Sequence, residues 1–392
     1  MSEYSPLQPD RYEQGKQMKA LFLVFHGFDA NNIGISKKIS YQKKALEECG
    51  LDIRLCYLII DQDGYHKRMV DNEVLENFGK GITAKIKKRI RYARLADYIL
   101  KKNLQFIYIR SFHNASPFLI LLLRKLNRAG VKTVLEIPTY PYDQEYNKVC
   151  FTDRLRIISD KLFRHQMAKQ IDRIVTFSND KTIFGTRTIN ISNGIDFSQI
   201  RMKTKTNKQT DSIYLIGVAE IHFWHGFDRV LNGLAAYYQT QQDVTVFFNI
   251  IGDGVPEEIK KLKAITVKNE LEEYVTFHGT KSGVELDQLF ENADMGIASL
   301  GRHRSHITHI KPLKNREYAA RGIPFVYSEI DDDFEDMPYI LKAPADETPL
   351  DIEGLVRFYR EHSFQPFEIR DSIISKLSWK IQMEKVIKEV FL

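Results

Sequence analysis

Along almost the whole chain, short and mostly apolar runs alternate with longer stretches in which apolar residues recur every three or four positions. The runs at 21–25, 53–60, 105–109, 132–137 and 173–177 lack strict apolar-polar alternation. That is the pattern of strands covered on both faces, as in a parallel sheet. Periodic stretches predict helices at 36–49 and 117–128, and a polar turn at 29–34 follows the first strand. The theme then repeats. Strands are expected at 213–217, 244–251, 275–277, 295–298 and 325–327, with helices at about 226–239, 256–269, 284–291 and 312–321. Asn193-Gly194-Ile195-Asp196 is a turn signal, and 201–211 after it holds four lysines or arginines and few apolar residues, so a domain boundary is placed there. The expected fold class is α/β, with two Rossmann-like doubly wound domains facing a cleft, 1–200 and 201–375. A last helix within 376–392 is expected to cross back to the first domain.

Length supports this division, since 392 residues exceed one ordinary core and suit two domains of about 200. The hydrophobic fraction of 43% is that of a globular protein. Cys49, Cys56 and Cys150 have no metal or redox spacing, and an odd number fits a reduced, cytoplasmic setting. The polar N-terminus reads as no signal peptide, and the apolar run at 118–123 is far too short to span a bilayer. The net charge of +6 is uneven: 80–102 holds nine lysines and arginines against Asp97 alone, with apolar residues interleaved at helical spacing. A basic amphipathic helix of this kind can lie on an anionic membrane surface, which would make the protein peripheral on the inner face. The alternative is a solvated helix whose apolar stripe packs on its own sheet. No helix-turn-helix, zinc or aromatic RNA-binding signature accompanies the charge, so no nucleic-acid partner is expected.

Candidate chemistry concentrates at the ends of the second set of strands. The segment from Lys311 to Pro324 puts Lys311, Lys314 and Glu317 on one short helix, closed by Gly322 and Pro324. A carboxylate there can take ribose or sugar hydroxyls, while lysines and free backbone N–H groups take a diphosphate. The loop Gly252-Asp253-Gly254 allows close backbone approach, and His278-Gly279 and the stretch from Glu220 to His225 and Gly226 end two further strands.

In this order the segments resemble the nucleotide-binding half of the retaining, family-4-type glycosyltransferases of the GT-B fold (glycosyl transferases group 1). The resemblance spans nearly the whole chain. It includes Asn193-Gly194-Ile195-Asp196, His225-Gly226 where the family usually has Lys-Gly, Gly252-Asp253-Gly254, Phe277-x-Gly279, Ala293-Asp294 and Glu317-Tyr-Ala-Ala-x-Gly322-x-Pro324. In the first half, Asn32-Ile33-Gly34-Ile35 resembles the family's glycine loop, which faces donor and acceptor. The resemblance implies transfer of a hexose, with retention, from a nucleoside-diphosphate sugar to a glycan or lipid-linked acceptor in cell-surface polysaccharide synthesis. Glu317 matches the second glutamate of the family's paired-glutamate motif, which holds the ribose; the Gly252 loop and His278-Gly279 would border base and ribose. No metal cofactor is implied, because cations and helix N-termini can neutralise the leaving diphosphate.

The departures redistribute the roles. The first motif glutamate falls on His309, the family's diphosphate-binding Arg and Lys on Glu220 and His225, and a usual histidine on Pro138. The diphosphate is therefore expected at Lys311 and Lys314, with Arg302 or Arg304, and sugar or acceptor at His309 or Glu220. A solvated helix face is the other reading of the two lysines. Glu136, ending a strand of the first half, is open between acceptor-side catalysis and a structural hydrogen bond. Arg110, His113 and Asn114 end the strand before it, and Tyr140 and Tyr142 are candidates to stack on a sugar. The histidines 303, 306 and 309 do not read as a metal site, and Asp331-Asp332-Asp333 reads as surface charge. Two rivals stay in view: an inactive glycosyltransferase homologue acting as a binding or scaffolding partner, and an epimerase of the same fold.

Overall fold

The computed structural model describes residues 17–27, 33–142, 151–204 and 211–391. The chain divides into two compact units, Met1–Asn190 with Met383–Leu392, and Ile191–Gln382.

In the first unit, strands β1 (Met18–Gly27), β2 (Leu51–Ile60), β3 (His66–Val70), β4 (Glu73–Gly79), β5 (Phe106–Arg110), β6 (Lys132–Ile137), β7 (Arg173–Thr176), β8 (Thr182–Ile183) and β9 (Thr186–Asn190) form one sheet in the order β4-β3-β2-β1-β5-β6-β7-β9-β8. The pairs through the middle, from β2 to β7 and on to β9, are parallel. Helices α1 (Ile33–Glu48), α2 (Gly81–Ile90), α3 (Ala93–Lys101), α4 (Pro117–Arg128) and α5 (Phe151–Ala168) cover it. Ser116 caps α4, accepting from the Leu119 N–H at 3.3 Å, and Pro117 occupies its first turn.

The antiparallel strands β3 and β4 are not expected from the pattern. Their charged residues hide the alternation, yet Arg68 is buried, paired with Glu76 at 3.2 Å and donating to the carbonyls of Arg91 (2.9 Å) and Lys88 (3.2 Å). Those bonds also hold the break that splits 80–102 into two helices. Helix α3 buries Leu95, Ala96 and Ile99. Helix α2 buries only Ala84 and leaves Ile82, Ile86 and Ile90 at 75%, 53% and 37% exposure, so its apolar stripe does not pack on its own sheet.

The second unit carries β10 (Ser212–Val218), β11 (Thr245–Ile251), β12 (Val275–Gly279), β13 (Met295–Ile297), β14 (Phe325–Tyr327) and β15 (Ile340–Lys342), all parallel, in the order β12-β11-β10-β13-β14-β15. Its helices are α6 (Phe227–Tyr237), α7 (Pro256–Lys268), α8 (Gly283–Asn292), α9 (Leu313–Arg321), α10 (Ile352–Glu361) and α11 (Pro366–Leu377). Helix α12 (Trp379–Phe391) follows; from Met383 it belongs to the first unit, where Phe391 meets Phe106 at 5.6 Å.

Strand order runs outward from β10 through β11 to β12, then restarts on the other side of β10 with β13. This reversal leaves a crevice at the carboxyl ends of β10 and β13, the place where open α/β sheets bind ligands. Tyr318 holds α9 over it: its hydroxyl donates to the Ile297 carbonyl (3.0 Å) and accepts from the Val218 N–H (3.2 Å). Gly296 makes room for that ring, since a Cβ there would come within 2.6 Å of it.

Candidate functional site

Two helices start at this reversal. Helix α9 follows Pro312, has no side-chain cap and carries no acid in its first turn. Its leading N–H groups and the positive end of its dipole are therefore available to an anion. Helix α6 follows Gly226, which adopts φ 66°; a Cβ there would lie 2.8 Å from the Leu300 carbonyl carbon and 2.9 Å from the Gly301 nitrogen. Only glycine lets the start of α6 lie against the chain leaving β13. Hydrogen bonds from Leu300 N–H to the His225 carbonyl (3.0 Å) and from Gly301 N–H to that of Trp224 (3.2 Å) fix the approach.

Five polar side chains gather around this reversal. Lys314 lies in the first turn of α9, its Nζ buried without a hydrogen-bond partner and 5.6 Å from the centre of the Phe227 ring. Burial, helped by the charge of Arg302 and opposed by Glu329, pushes its amine down to about 7. Glu329 is 2% exposed. Its Oε2 accepts from the Ser328 N–H (3.2 Å) and hydroxyl (3.1 Å), while Oε1 is buried without a partner. Burial raises its pKa against the pull of Ser328 and Arg302. The Ser299 hydroxyl oxygen is likewise buried and unpartnered. His225 is buried, and its Nδ1 accepts from the His222 N–H at 3.1 Å, which leaves the proton on Nε2. Burial and the charges of Lys314 and Arg302 hold that ring neutral. Arg302 lies over the Trp224 ring, 5.1 Å from its centre. A buried polar atom without a partner costs about 1–3 kcal/mol. Three at one crevice describe a place prepared for a ligand bearing both an anion and hydrogen-bond donors.

Other candidate residues are placed as follows. Lys311 precedes α9; its carbonyl accepts from Asn193 Nδ2 at 2.6 Å, and its amine, lowered by burial, lies in the field of Asp333 and Arg316 rather than beside Lys314. Glu317, one turn beyond Lys314, pairs with Arg321 at 3.0 Å, and Arg321 also holds Asp287 at 2.7 Å. Glu220 is 83% exposed, 3.4 Å from His222. His309 is exposed, its Nδ1 3.1 Å from the Thr308 hydroxyl. Asp253 accepts from the Gly254 N–H in its own loop at 2.9 Å. The space left by Gly252 and Gly254 is filled by backbone, because a Cβ at either would strike the carbonyl of Ala219 or Ile221. Those glycines extend the β10–β11 pairing past the strand ends, through Ala219 N–H to Ile251 (2.9 Å) and Ile221 N–H to Asp253 (2.8 Å). His278 shares a hydrogen with Asn249 at 2.7 Å, and Gly279 turns at φ 63°. Gly34 falls in the first turn of α1, and Asn32 lies outside the described residues.

In the first unit Glu136 is wholly buried and accepts from Arg110, Tyr108 (2.6 Å) and Gln42 (2.6 Å), with Lys38 at 3.9 Å. Burial pushes its pKa up, but these partners outweigh burial and hold it below the usual range. Tyr142 is buried, donates to Asp160 at 2.7 Å and packs at a tilt against His113, ring centres 4.2 Å apart; Tyr140 packs edge-on to Phe184 at 5.8 Å. Tyr142 thus belongs to the core, and Tyr140 packs against it partly buried. Arg304, the other arginine expected at the diphosphate, is paired with Asp228 (3.0 Å) and Glu347 (2.5 Å). Asp331 is the largest correction: it is not surface charge but fully buried, paired with the fully buried Arg316. His303 bonds Glu347 at 2.8 Å, and among the described residues no group of three or more His, Cys, Asp or Glu is placed to hold a metal ion.

Ser299 and Glu329 are absent from the sequence-based candidates. Each stands two residues beyond a three-residue buried strand, β13 or β14, and that spacing is the signal that finds them.

No family model and no curated protein matches the sequence. Solved structures match it over almost its full length. A glycosyltransferase from Rickettsia africae ESF-5 is 12% identical with a TM-score of 0.64, covering 96% of this chain and 98% of that one. Sucrose-phosphate synthase from Thermosynechococcus elongatus is 14% identical with a TM-score of 0.62, covering 96% and 99%. Anabaena HepE, crystallised in complex with UDP, is 13% identical with a TM-score of 0.62, covering 95% and 100%. At this identity the likeness is one of fold, and the fold is the GT-B fold of glycosyltransferases.

Proposed function

We propose that the protein transfers a hexose, with retention, from a nucleoside-diphosphate sugar to a glycan or lipid-linked acceptor in cell-surface polysaccharide synthesis. The observation that carries this is the buried, unpartnered Nζ of Lys314 at the uncapped start of α9, where strand order reverses. The diphosphate takes Lys314 and the leading N–H groups of α9, and Glu317 remains the candidate for the ribose. The crystallisation of HepE with UDP and with UDP-glucose supports a donor of this class. In the step itself the bond from the anomeric carbon to the diphosphate oxygen breaks as the acceptor oxygen bonds that carbon from the same face. The acceptor proton passes to the departing phosphate oxygen, and Lys314 stabilises the charge left there. Glu136 has three hydrogen-bond donors and a nearby lysine, so it serves the scaffold of its unit.

A thermal-shift screen with UDP, GDP, ADP and their sugars tests the donor reading. A ligand at 100 times its Kd adds about 2.7 kcal/mol, a rise of several degrees. One base is expected to give that rise; no shift with any of them sinks the reading. Turnover then separates an enzyme from a binding homologue.

The acceptor reading places the protein on the inner, cytoplasmic membrane face. Among the described residues no helix is long and apolar enough to cross a membrane. Helix α4 packs against α2 and α5 in one layer. The three carry eleven lysines and arginines against two aspartates, and they expose Ile82, Ile86, Phe118, Leu121, Ile158 and Leu162. An apolar patch ringed by cations fits an anionic bilayer. Binding to vesicles containing phosphatidylglycerol is expected to weaken about tenfold or more in an Ile82→Asp, Ile86→Asp variant, with Tm unchanged because both side chains are already exposed. Equal binding by the variant, or equal binding to pure phosphatidylcholine, refutes this docking.

A further inference from the structure

The diphosphate accounts for one of the three unpartnered atoms at the strand reversal, Lys314 Nζ, and leaves Glu329 Oε1 and Ser299 Oγ. A phosphate cannot complete Glu329, because both are anionic. The carboxylate is nonetheless held firmly. Its Oε2 is fixed by two bonds from Ser328, and the Glu329 carbonyl accepts from Lys342. Ser299 adjoins it, since the Ser328 N–H donates to the Ser299 carbonyl at 3.1 Å. Oε1 is therefore a buried, oriented acceptor on the strand end that is bonded to the Ser299 backbone, and the Ser299 hydroxyl is a second buried oxygen without a partner. Glu329 does not bond Lys314, although its charge acts on the Lys314 amine. A metal ion is a poor occupant, with one carboxylate in the field of Arg302 and acting on Lys314. The occupant must bring an anion for the amine and, a bond or two away, O–H donors for the carboxylate. A glycosyl phosphate has that order of groups.

Resting on the nucleotide-sugar reading above, we propose that Glu329 accepts hydrogen bonds from hydroxyl groups of the donor sugar, with Ser299 beside it, and so selects which sugar is transferred. His309, one of the two residues expected at the sugar or acceptor, is left on the surface. A site whose buried acceptor is built for a hydroxyl discriminates strongly against a sugar that lacks it or turns it away.

The test compares the bare nucleoside diphosphate with its sugar conjugates in wild type and Glu329→Gln. Glutamine can keep the Ser328 contacts through its oxygen but puts an amide donor where hydroxyl donors arrive. The Kd of the bare nucleotide is expected to change less than about threefold, while kcat/KM for the preferred sugar falls about 100-fold or more. With donors deoxygenated one position at a time, one position should be equally poor for both proteins. If no nucleoside diphosphate binds wild type, the donor reading fails. If nucleotides bind and E329Q keeps the wild-type ranking of sugars, the role of Glu329 is overturned. Glu329→Asp, which withdraws the carboxylate by one methylene, should lose the same discrimination while keeping bare-nucleotide binding, and wild-type discrimination there is equally fatal.

Discussion

Replacing Lys314 with alanine is expected to lower turnover by about 10²-fold or more, because charge develops on the departing diphosphate where this amine lies. The amine is buried, so its charge counts for more than it does in water. The same burial gives the residue a pH signature. In the empty protein the amine lies at about 7, below its ordinary 10.5, with burial the first cause and Arg302 the second. Between those two values the unfolded chain holds more protons than the folded one, so stability of the empty protein rises with pH across that window. The cost of the buried cation is fully present below about 7. A bound diphosphate reverses the balance by calling the proton back. Binding near pH 8 is therefore expected to take up a proton, and affinity to fall by up to tenfold per pH unit above 7. Calorimetry in two buffers of different protonation enthalpy measures the uptake, and Lys314→Ala should abolish it. Wild-type turnover in the variant, or binding without proton uptake, refutes the assignment.

How far the fold could be read from the chain depended on how its strands and helices are bounded. The strand Phe325–Tyr327 was legible to the residue, and the helix Trp379–Phe391 to within a few residues. The strand lies between Pro324 and two polar residues, and its three side chains are fully buried. The hairpin β3–β4 was not legible, since its central arginine is buried by carbonyls far along the chain. The division of 80–102 at Arg91 and Tyr92 has no glycine or proline to announce it; it follows from Tyr92 turning into the core while α2 stays outside. In the site, Lys314 was legible as a cation at a helix start. Glu329 was not read, because the Ser-Glu pair itself does not tell a buried carboxylate from an exposed one and only its place two residues beyond β14 marks it. The lysines 311 and 314 looked equivalent, yet only the second lies inside α9, and one turn of backbone sends them to different partners.

Three consecutive aspartates normally mean solvent, and the buried pair formed by the first of them leads to the second large effect. Replacing Arg316 with methionine is expected to destabilise the protein by about 3–5 kcal/mol, since it strands the charge of a fully buried Asp331. Only neutral donors, Asn315 Nδ2 at 3.0 Å and the Asp333 N–H at 3.4 Å, would remain on that carboxylate, and the Asp333 side chain, which also pairs with Arg316, would repel it. Methionine keeps most of the volume, so the loss reads charge rather than a cavity. The companion Asp331→Leu in the same chain should recover most of it, because removing both partners leaves no buried ion. Urea unfolding of the two variants measures this; a single-variant loss under about 1 kcal/mol would show that the pair is not buried as described. The consequence reaches the ligand. Arg316 also donates to the Pro312 carbonyl at 3.2 Å, on the threshold of α9. It therefore ties the helix start to the loop after β14, two residues from Lys314. The double variant, though refolded, should bind a nucleoside diphosphate more weakly than wild type, because it restores electrostatic balance without restoring that tie.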